Sequence, residues 1–205
     1  MFVPFKRVGF YYRHDTPDAV KWEHTLQKTI KTYAPNAEIL EATHIPQAQK
    51  DAPDFLIVLG GDGTILEAVQ KFERWRPVIC GLNLGHVGFL ATIRNQNNFA
   101  DDLARVMSCG YAETIERMMI RATVMRGKRK VYQAHALNDI TIKSLTGIVN
   151  LSISTDGDCI RKIRGDGVII ATPTGATAYN LSAHGPIVMP DIKCFIITEL
   201  MNHGV

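Results

Sequence analysis

Leu59-Gly60-Gly61-Asp62-Gly63-Thr64 places one carboxylate inside a run of glycines. Gly60, Gly61 and Gly63 permit positive φ and let backbone amides approach a phosphate with no Cβ in the way. A helix that follows such a loop adds unpaired N–H groups and partial positive charge at its N-terminus. A carboxylate there repels phosphates, so Asp62 needs a reason. It can hold a divalent cation against the phosphates, or accept a proton from a hydroxyl nucleophile. The plainer reading is an Asp-Gly turn whose aspartate caps the next helix.

Three further stretches have residue types that suit a polar ligand. Gly81-Leu82-Asn83-Leu84-Gly85-His86-Val87-Gly88-Phe89-Leu90 carries the glycine spacing of a second tight loop, in which His86 reads as polar surface. Asn138 and Asp139 can accept or donate to ribose hydroxyls, or can form an ordinary turn. Arg164-Gly165-Asp166-Gly167 precedes Ala171-Thr172-Pro173-Thr174-Gly175-Ala176-Thr177-Ala178-Tyr179, with Ser182 and Gly185 beyond. Small hydroxyls and backbone groups at that density can read a base edge while Tyr179 offers an aromatic face. A helix-capping loop is the alternative.

The elements that must position these groups alternate strand and helix through the first half. Asp54-Phe55-Leu56-Ile57-Val58-Leu59 is a continuous apolar run, as expected of a central parallel strand covered on both faces. Strands are also predicted over residues 7–12, 38–40 and 78–82. A helix is predicted from a Thr16 N-cap and Pro17, with Trp22, Leu26, Ile30 and Tyr33 on one face. Ile65, Ala68, Val69 and Phe72 mark a second helix that stops before Pro77, and Phe99, Leu103 and Val106 mark a third. This pattern predicts an α/β domain with a mostly parallel sheet over residues 1–110, its ligands at the carboxyl ends of the strands.

Beyond residue 110 the period changes to two. Ile120, Ala122 and Val124 alternate with polar residues, as do Val149, Leu151 and Ile153, and Val168-Ile169-Ile170 adds another strand. A further strand is predicted over 134–137. Residues 111–205 therefore read as an all-β, sandwich-like domain. The basic run at 126–130 reads as a solvated hairpin turn.

Composition excludes several classes. A hydrophobic fraction of 46% and a charged fraction of 21% are those of an ordinary globular chain. The formal charge of +3 suits a small anionic ligand and falls short of a nucleic-acid footprint. No stretch approaches the ~20 apolar residues of a membrane span. The order of apolar before basic residues at the N-terminus is the reverse of a secretory signal. Cys80, Cys109, Cys159 and Cys194 form no CxxC pair and read as reduced thiols of a cytoplasmic protein. The histidines lack ligand spacing, and no protein metal site is predicted.

The four motifs become specific in combination. Gly-Gly-Asp-Gly-Thr at 60–64, Asn-Leu-Gly-x-x-Gly-Phe-Leu at 83–90, Asn138-Asp139 and Thr-Pro-Thr-Gly-x-Thr-Ala-Tyr at 172–179 occur in the order and approximate spacing of the NAD kinase family. The chain resembles that family from about residue 7 to residue 190. The resemblance implies phosphoryl transfer from ATP, or another nucleotide or polyphosphate donor, to the 2′-hydroxyl of the adenosine ribose of NAD, giving NADP. It implies Mg²⁺ held mainly by donor phosphates.

By the same resemblance Asp62 is catalytic, and Gly60, Gly61 and Gly63 cradle phosphates. Asn138 and Asp139 hold ribose hydroxyls, Asp139 being one methylene shorter than the family's usual glutamate. Thr177, Ala178 and Tyr179 lie around the adenine with Phe89 beside it, and Thr174 and Ser182 belong to the same cradle. Asp166 meets the nicotinamide carboxamide, often across a subunit interface, and a homodimer or homotetramer is implied.

The chain departs from the family pattern in three places. Ala176 stands where serine is usual and His184 where glycine is usual. Residues 191–205 drift from the pattern, which implies a C-terminally shortened chain and an incomplete sandwich. A non-catalytic nucleotide-binding remnant is therefore one alternative. A kinase for a lipid or sugar hydroxyl is another, since lipid kinases share the Gly-Gly-Asp-Gly-Thr loop but not the Thr-Ala-Tyr loop.

Overall fold

The computed structural model describes residues 2–4, 6–16, 18–41, 43–85 and 88–203. The chain divides into two compact units, Met1–Ile115 and Glu116–Val205. In the first, β1 (Phe2–Pro4), β2 (Arg7–Tyr11), α1 (Ala19–Tyr33), β3 (Glu38–Ile39), β4 (Phe55–Leu59), α2 (Asp62–Phe72), β5 (Val78–Leu82), α3 (Phe99–Cys109) and β6 (Tyr111–Glu113) follow in order. Four strands form a parallel sheet in the order β3-β2-β4-β5.

Alternation along the buried strand β4 divides the core. Phe55, Ile57 and Leu59 pack with Leu26 and Ile30 of α1 and with Phe99, Leu103 and Met107 of α3. Leu56 and Val58 face the other way and pack with Ile65, Ala68 and Phe72 of α2. The period of two in the strand thus assigns α1 and α3 to one face and α2 to the other. The connection leaving β2 runs to β3 and that leaving β4 runs to β5, in opposite directions along the sheet. Between the carboxyl ends of β2 and β4 lies the topological switch point, where open α/β sheets bind ligands.

The predicted and observed elements differ at the edges. α1 begins at Ala19, with Asp18 as an N-cap at φ 56 and no side-chain cap bond, so Thr16 is not the cap. Pro17 lies outside the described residues. Tyr33, expected on the buried face, is exposed. The chain divides after Ile115 because β6 returns to pair antiparallel with β1, a pairing that neither segment's pattern announced.

The second unit is antiparallel and β-rich. β7 (Ile120–Arg126) and β8 (Arg129–Ala136) form a hairpin whose last pair is Arg126 with Arg129, so the basic run is its turn. After β9 (Asp139–Lys143), β10 (Val149–Thr155) and β11 (Asp158–Gly165) form a second hairpin. β12 (Gly167–Ala171) is central between β9 and β13 (Ile196–Leu200). Between β12 and β13 come a 3-10 turn at Thr174–Thr177 and the short α4 (Tyr179–Ser182). The segment expected to drift after Pro190 supplies β13, which completes both edges of β12. Arg161 joins β11 to β13 through Glu199, at 2.5 and 3.3 Å.

His184 follows α4 and takes φ 61, the left-handed region, with its N–H donated to the Leu181 carbonyl at 3.0 Å. A residue with a Cβ is strained there and glycine is not, a reason for the glycine of the resembled pattern. His184→Gly is expected to stabilise the chain by about 0.5–1 kcal/mol after the entropy of the unfolded glycine is subtracted. Denaturant unfolding of the two proteins checks this. An unchanged or lowered midpoint would contradict it.

Candidate active site

β4 delivers the glycine loop to the carboxyl edge of the sheet. Gly60, at φ 155, donates to the Leu82 carbonyl at 3.0 Å and binds the loop to the end of β5. Of the three glycines expected to use positive φ, only Gly60 does so. Gly61 is the extended N-cap of α2, and Gly63 lies in the first helical turn.

Asp62 is the first residue of α2, and its carboxylate does not cap that helix. Its Oδ2 accepts the Phe89 N–H at 2.8 Å and its Oδ1 accepts the Leu90 N–H at 3.1 Å. The second glycine loop therefore closes onto the first. Gly88 makes the approach possible, since a Cβ there would lie 2.6 Å from Asp62 Cγ. At its base this loop is held by the Leu82–Ile93 bridge and by Gly85 N–H donating to Asn83 Oδ1 at 3.1 Å. Each carboxylate oxygen keeps lone-pair capacity for a ligand after accepting one amide. The Phe89 ring is 62% exposed, so its backbone is fixed while its face is open. His86 lies outside the described residues.

A polar cluster lies beside the Asp62 loop. Glu67 of α2 accepts from Tyr11 Oη at 2.7 Å, Arg13 Nε at 2.7 Å and Lys71 Nζ at 2.8 Å. Lys71 also donates to Tyr11 Oη at 2.7 Å. The hydrogen bond from Lys71 first, then those from Tyr11 and Arg13, hold the Glu67 carboxyl down at about 2. Burial pushes the Tyr11 hydroxyl up. Sequence reading passed over this cluster, although Glu67 and Lys71 at i and i+4 on a helix were a visible ion-pair signal.

The second unit holds the other group. The Asn138 carbonyl accepts the Thr172 N–H at 2.8 Å, and the Thr172 hydroxyl donates to the Leu137 carbonyl at 2.5 Å. Gly175 N–H closes the turn on Thr172 Oγ1 at 3.2 Å. Its Cα packs so near residue 138 that a Cβ would lie 2.5 Å from the Asn138 carbonyl carbon. Asn138-Asp139 and the Thr-Pro-Thr-Gly loop are therefore one construction. Arg117, not singled out from sequence, donates to Thr174 Oγ1 at 3.3 Å.

Two features of this construction point to a ligand. Asn138 Oδ1 is buried and accepts no hydrogen bond among the described residues, so a hydroxyl or amino donor is wanted there. Asp139 begins β9, and burial raises its carboxyl above the usual carboxylate range, partly opposed by the Thr141 hydroxyl at 3.3 Å.

Thr177 and Ala178 are half-buried, while Tyr179 and Ser182 on α4 are exposed. The wholly buried Asn180 fixes that segment. Its Nδ2 donates to Ala176 and Pro186 carbonyls at 3.1 and 2.9 Å, and its Oδ1 accepts the Thr198 hydroxyl of β13 at 2.6 Å. Only burial reveals this role, because Asn after Tyr in sequence reads as ordinary loop.

Asp166 does not join the group. It precedes β12 at the end where Gly167 pairs Lys143, whereas Asp139 pairs Ala171 at the other end. Five strand steps separate Asp166 from Ala171, the partner of Asp139, roughly 17 Å at strand rise. Among the described residues no three His, Cys, Asp or Glu side chains gather as a metal-ligand set. No helix among them is long and apolar enough to cross a membrane.

The family models for the ATP-NAD kinase N-terminal and C-terminal domains match residues 10–111 and 137–204. The second match runs through the segment expected to drift from the pattern. An NAD kinase of Syntrophotalea carbinolica is 34% identical over 97% of this chain and 73% of its own length. One from Symbiobacterium thermophilum is 42% identical over 73% of this chain and 53% of its own. The chain thus spans about half the length of some curated relatives it matches. Among solved structures, an NAD kinase from Archaeoglobus fulgidus in complex with ATP superposes with TM-score 0.75 at 29% identity, covering 97% of this chain and 73% of that one. Yeast NADH kinase complexed with NADH gives TM-score 0.81 at 24% identity, over 98% and 67% of the two chains, a likeness of fold.

Burial disfavours the ionised form of Asp139, so this carboxyl adds stability at low pH and loses it as pH rises through its raised folded value. Asp139→Asn is therefore expected to raise the unfolding midpoint at pH 7, with the gain vanishing below about pH 4, where the unfolded aspartate is also neutral. Thermal melts of both proteins from pH 3 to 8 test the sign. A gain that persists or grows in acid would contradict it.

Proposed function

The chain belongs to the ATP-NAD kinase family, and from that premise we propose that it transfers the terminal phosphoryl group of ATP to the 2′-hydroxyl of the adenosine ribose of NAD. The observation that carries the reading is the Asp62 carboxylate. Two loop amides hold it fixed at the carboxyl end of β4, inside a glycine loop at a helix N-terminus.

Phosphoryl transfer passes through a loose, metaphosphate-like transition state, so catalysis consists mainly of positioning and charge neutralisation. The 2′-oxygen attacks the terminal phosphorus, the new O–P bond forms, and the bond to the bridging oxygen breaks with ADP as leaving group. Asp62 orients the hydroxyl and accepts its proton as the new bond forms. Carboxylates are weak bases toward a sugar hydroxyl, so the proton moves late. Backbone N–H groups at the start of α2 face developing negative charge without needing to reorganise. A bound Mg²⁺ would supply charge neutralisation on the donor phosphates, held by them rather than by a protein ligand set.

The unpartnered Asn138 Oδ1 supports recognition of a ribose hydroxyl, and the Asp139 carboxylate can accept a second one. In the second unit, exposed Tyr179 offers a face for the adenine, with Thr174, Thr177, Ala178 and Ser182 in the same segment; the exposed ring of Phe89, on the first unit, is assigned to the same base. Asp166, at the far end of β12 from Asp139, is assigned to the nicotinamide carboxamide of NAD held by another copy of the chain, which makes the working form a homodimer or homotetramer. The reading places the protein in the cytoplasm.

Incubation with ATP, Mg²⁺ and NAD, with NADP detected by an NADP-specific dehydrogenase, tests the proposal. The parent is expected to form NADP. Asp62→Asn is expected to lower kcat by at least about a hundredfold while the KM for NAD changes little, as for a group acting in the transition state. A soluble, cooperatively folding parent that forms no NADP would sink the reading.

A further inference from the structure

The parallel sheet of the first unit ends at β3, and no strand pairs with its outer edge among the described residues. Glu38 and Leu40 donate their N–H groups to the Lys6 and Val8 carbonyls at 2.8 and 2.9 Å. The alternation of a strand therefore turns the Ile39 N–H and carbonyl outward, away from β2. Along this edge lies a cavity of about 660 Å³, walled by Glu23, Gln27 and Lys31 of α1 and by Ala37, Ile39 and Glu41. No residue of the two glycine loops lines it.

Charge is ordered along the groove. Glu23, Gln27 and Lys31 stand on successive turns of one helix face, about 12 Å from first to last at helical rise. Because α1 connects the carboxyl end of β2 to the amino end of β3, Glu23 lies toward the carboxyl ends. There it accepts the Tyr12 hydroxyl, just beyond β2, at 2.7 Å. Glu41 follows β3 at the same end, whereas Lys31 lies with Pro35 and Ala37 at the amino end. Glu23 is buried, and its other oxygen accepts Gln27 Nε2 at 2.7 Å. Its carboxylate is thus fixed, while each oxygen keeps capacity for one more donor. Ile39 packs toward α1, so the strand's alternation turns Glu38 to the opposite face.

We propose that this groove binds an extended peptide segment of a partner protein, which adds to β3 as an antiparallel strand. Antiparallel pairing lets one peptide residue take both outward groups of Ile39, donating to its carbonyl and accepting its N–H. That residue is apolar, because its side chain enters the groove beside Ile39 and Ala37. Two residues before it, a lysine or arginine on the same face meets Glu23 and Glu41. Two residues after it, an aspartate or glutamate meets Lys31. The four strand steps between these charges span about 13 Å, which matches the helix face. The inference is independent of the phosphoryl-transfer reading.

The probe is acetyl-Lys-Thr-Val-Thr-Asp-amide, titrated calorimetrically into the full chain, and saturable binding is expected. The same peptide with N-methylvaline lacks the donor to Ile39 and binds at least about tenfold more weakly. The reversed peptide, acetyl-Asp-Thr-Val-Thr-Lys-amide, binds at least about fivefold more weakly, since its charges meet like charges. Lys31 and Glu41 are exposed, so Lys31→Gln and Glu41→Gln leave the unfolding midpoint in place. Each weakens binding about threefold, as expected of an exposed ion pair. Lys31→Glu reverses the preference at the last position, so that a peptide ending in lysine binds it better than one ending in aspartate.

A parent that binds no peptide overturns the proposal, as does equal binding of the N-methylated or the reversed peptide. Lysine amide alone binding as tightly as the pentapeptide also overturns it, and makes the groove a pocket for small amines.

Discussion

The carboxylate of Asp62 accepts the N–H groups of Phe89 and Leu90, and the first unit's site depends on those two hydrogen bonds. They join the loop after β4 to the loop after β5. One negative charge at a helix N-terminus is stabilised by the helix and by both amides, so it needs no counter-cation from a side chain. The arrangement holds only while residue 88 lacks a Cβ and Gly60 keeps a φ that other residues resist. Glycines that look like a phosphate signature in sequence thus act partly on the carboxylate itself.

The second unit reaches a comparable result by different means. Its loop between β12 and β13 is ordered by buried hydroxyl and amide side chains, Thr172 toward Leu137 and Gly175, Asn180 toward Ala176, Pro186 and Thr198. Among the described residues Asn138 Oδ1 is the buried side-chain polar atom left without a partner, which makes it conspicuous. A buried acceptor without a donor costs about 1–3 kcal/mol, a cost that a bound hydroxyl would relieve. Raised burial energy at Asp139 is of the same kind. Both are local destabilisations where a ligand is expected, beside backbone that is hydrogen-bonded to Thr172 and paired with β12.

Much of the first unit was legible because its signals are periodic. The run from Phe55 to Leu59 could only be a strand buried on both faces, and the helical spacing of Leu26 and Ile30 or Ile65 and Phe72 named the helices that cover it. The short edge pairing of β1 with β6 was not legible, since three residues carry too little pattern. β13 was missed because the segment before it has no regular alternation, although Ile196, Thr198 and Leu200 turn inward. Among site residues, type and order placed Asp62, Asn138 and Asp139, whereas their partners were invisible. Which backbone amides face a carboxylate, and that Asn180 is buried, follow from tertiary packing. The distance of Asp166 from Asp139 follows from strand register alone.

Amide hydrogen exchange at Phe89 and Leu90, followed by NMR in the parent and in Asp62→Ala, tests the central claim most directly. If the carboxylate holds the second loop, both amides exchange at least about tenfold more slowly in the parent than in the variant, while the amides of β4 and β5 are unaffected. Equal exchange at the two amides in both proteins would contradict the account, because the loop would then stand without the carboxylate.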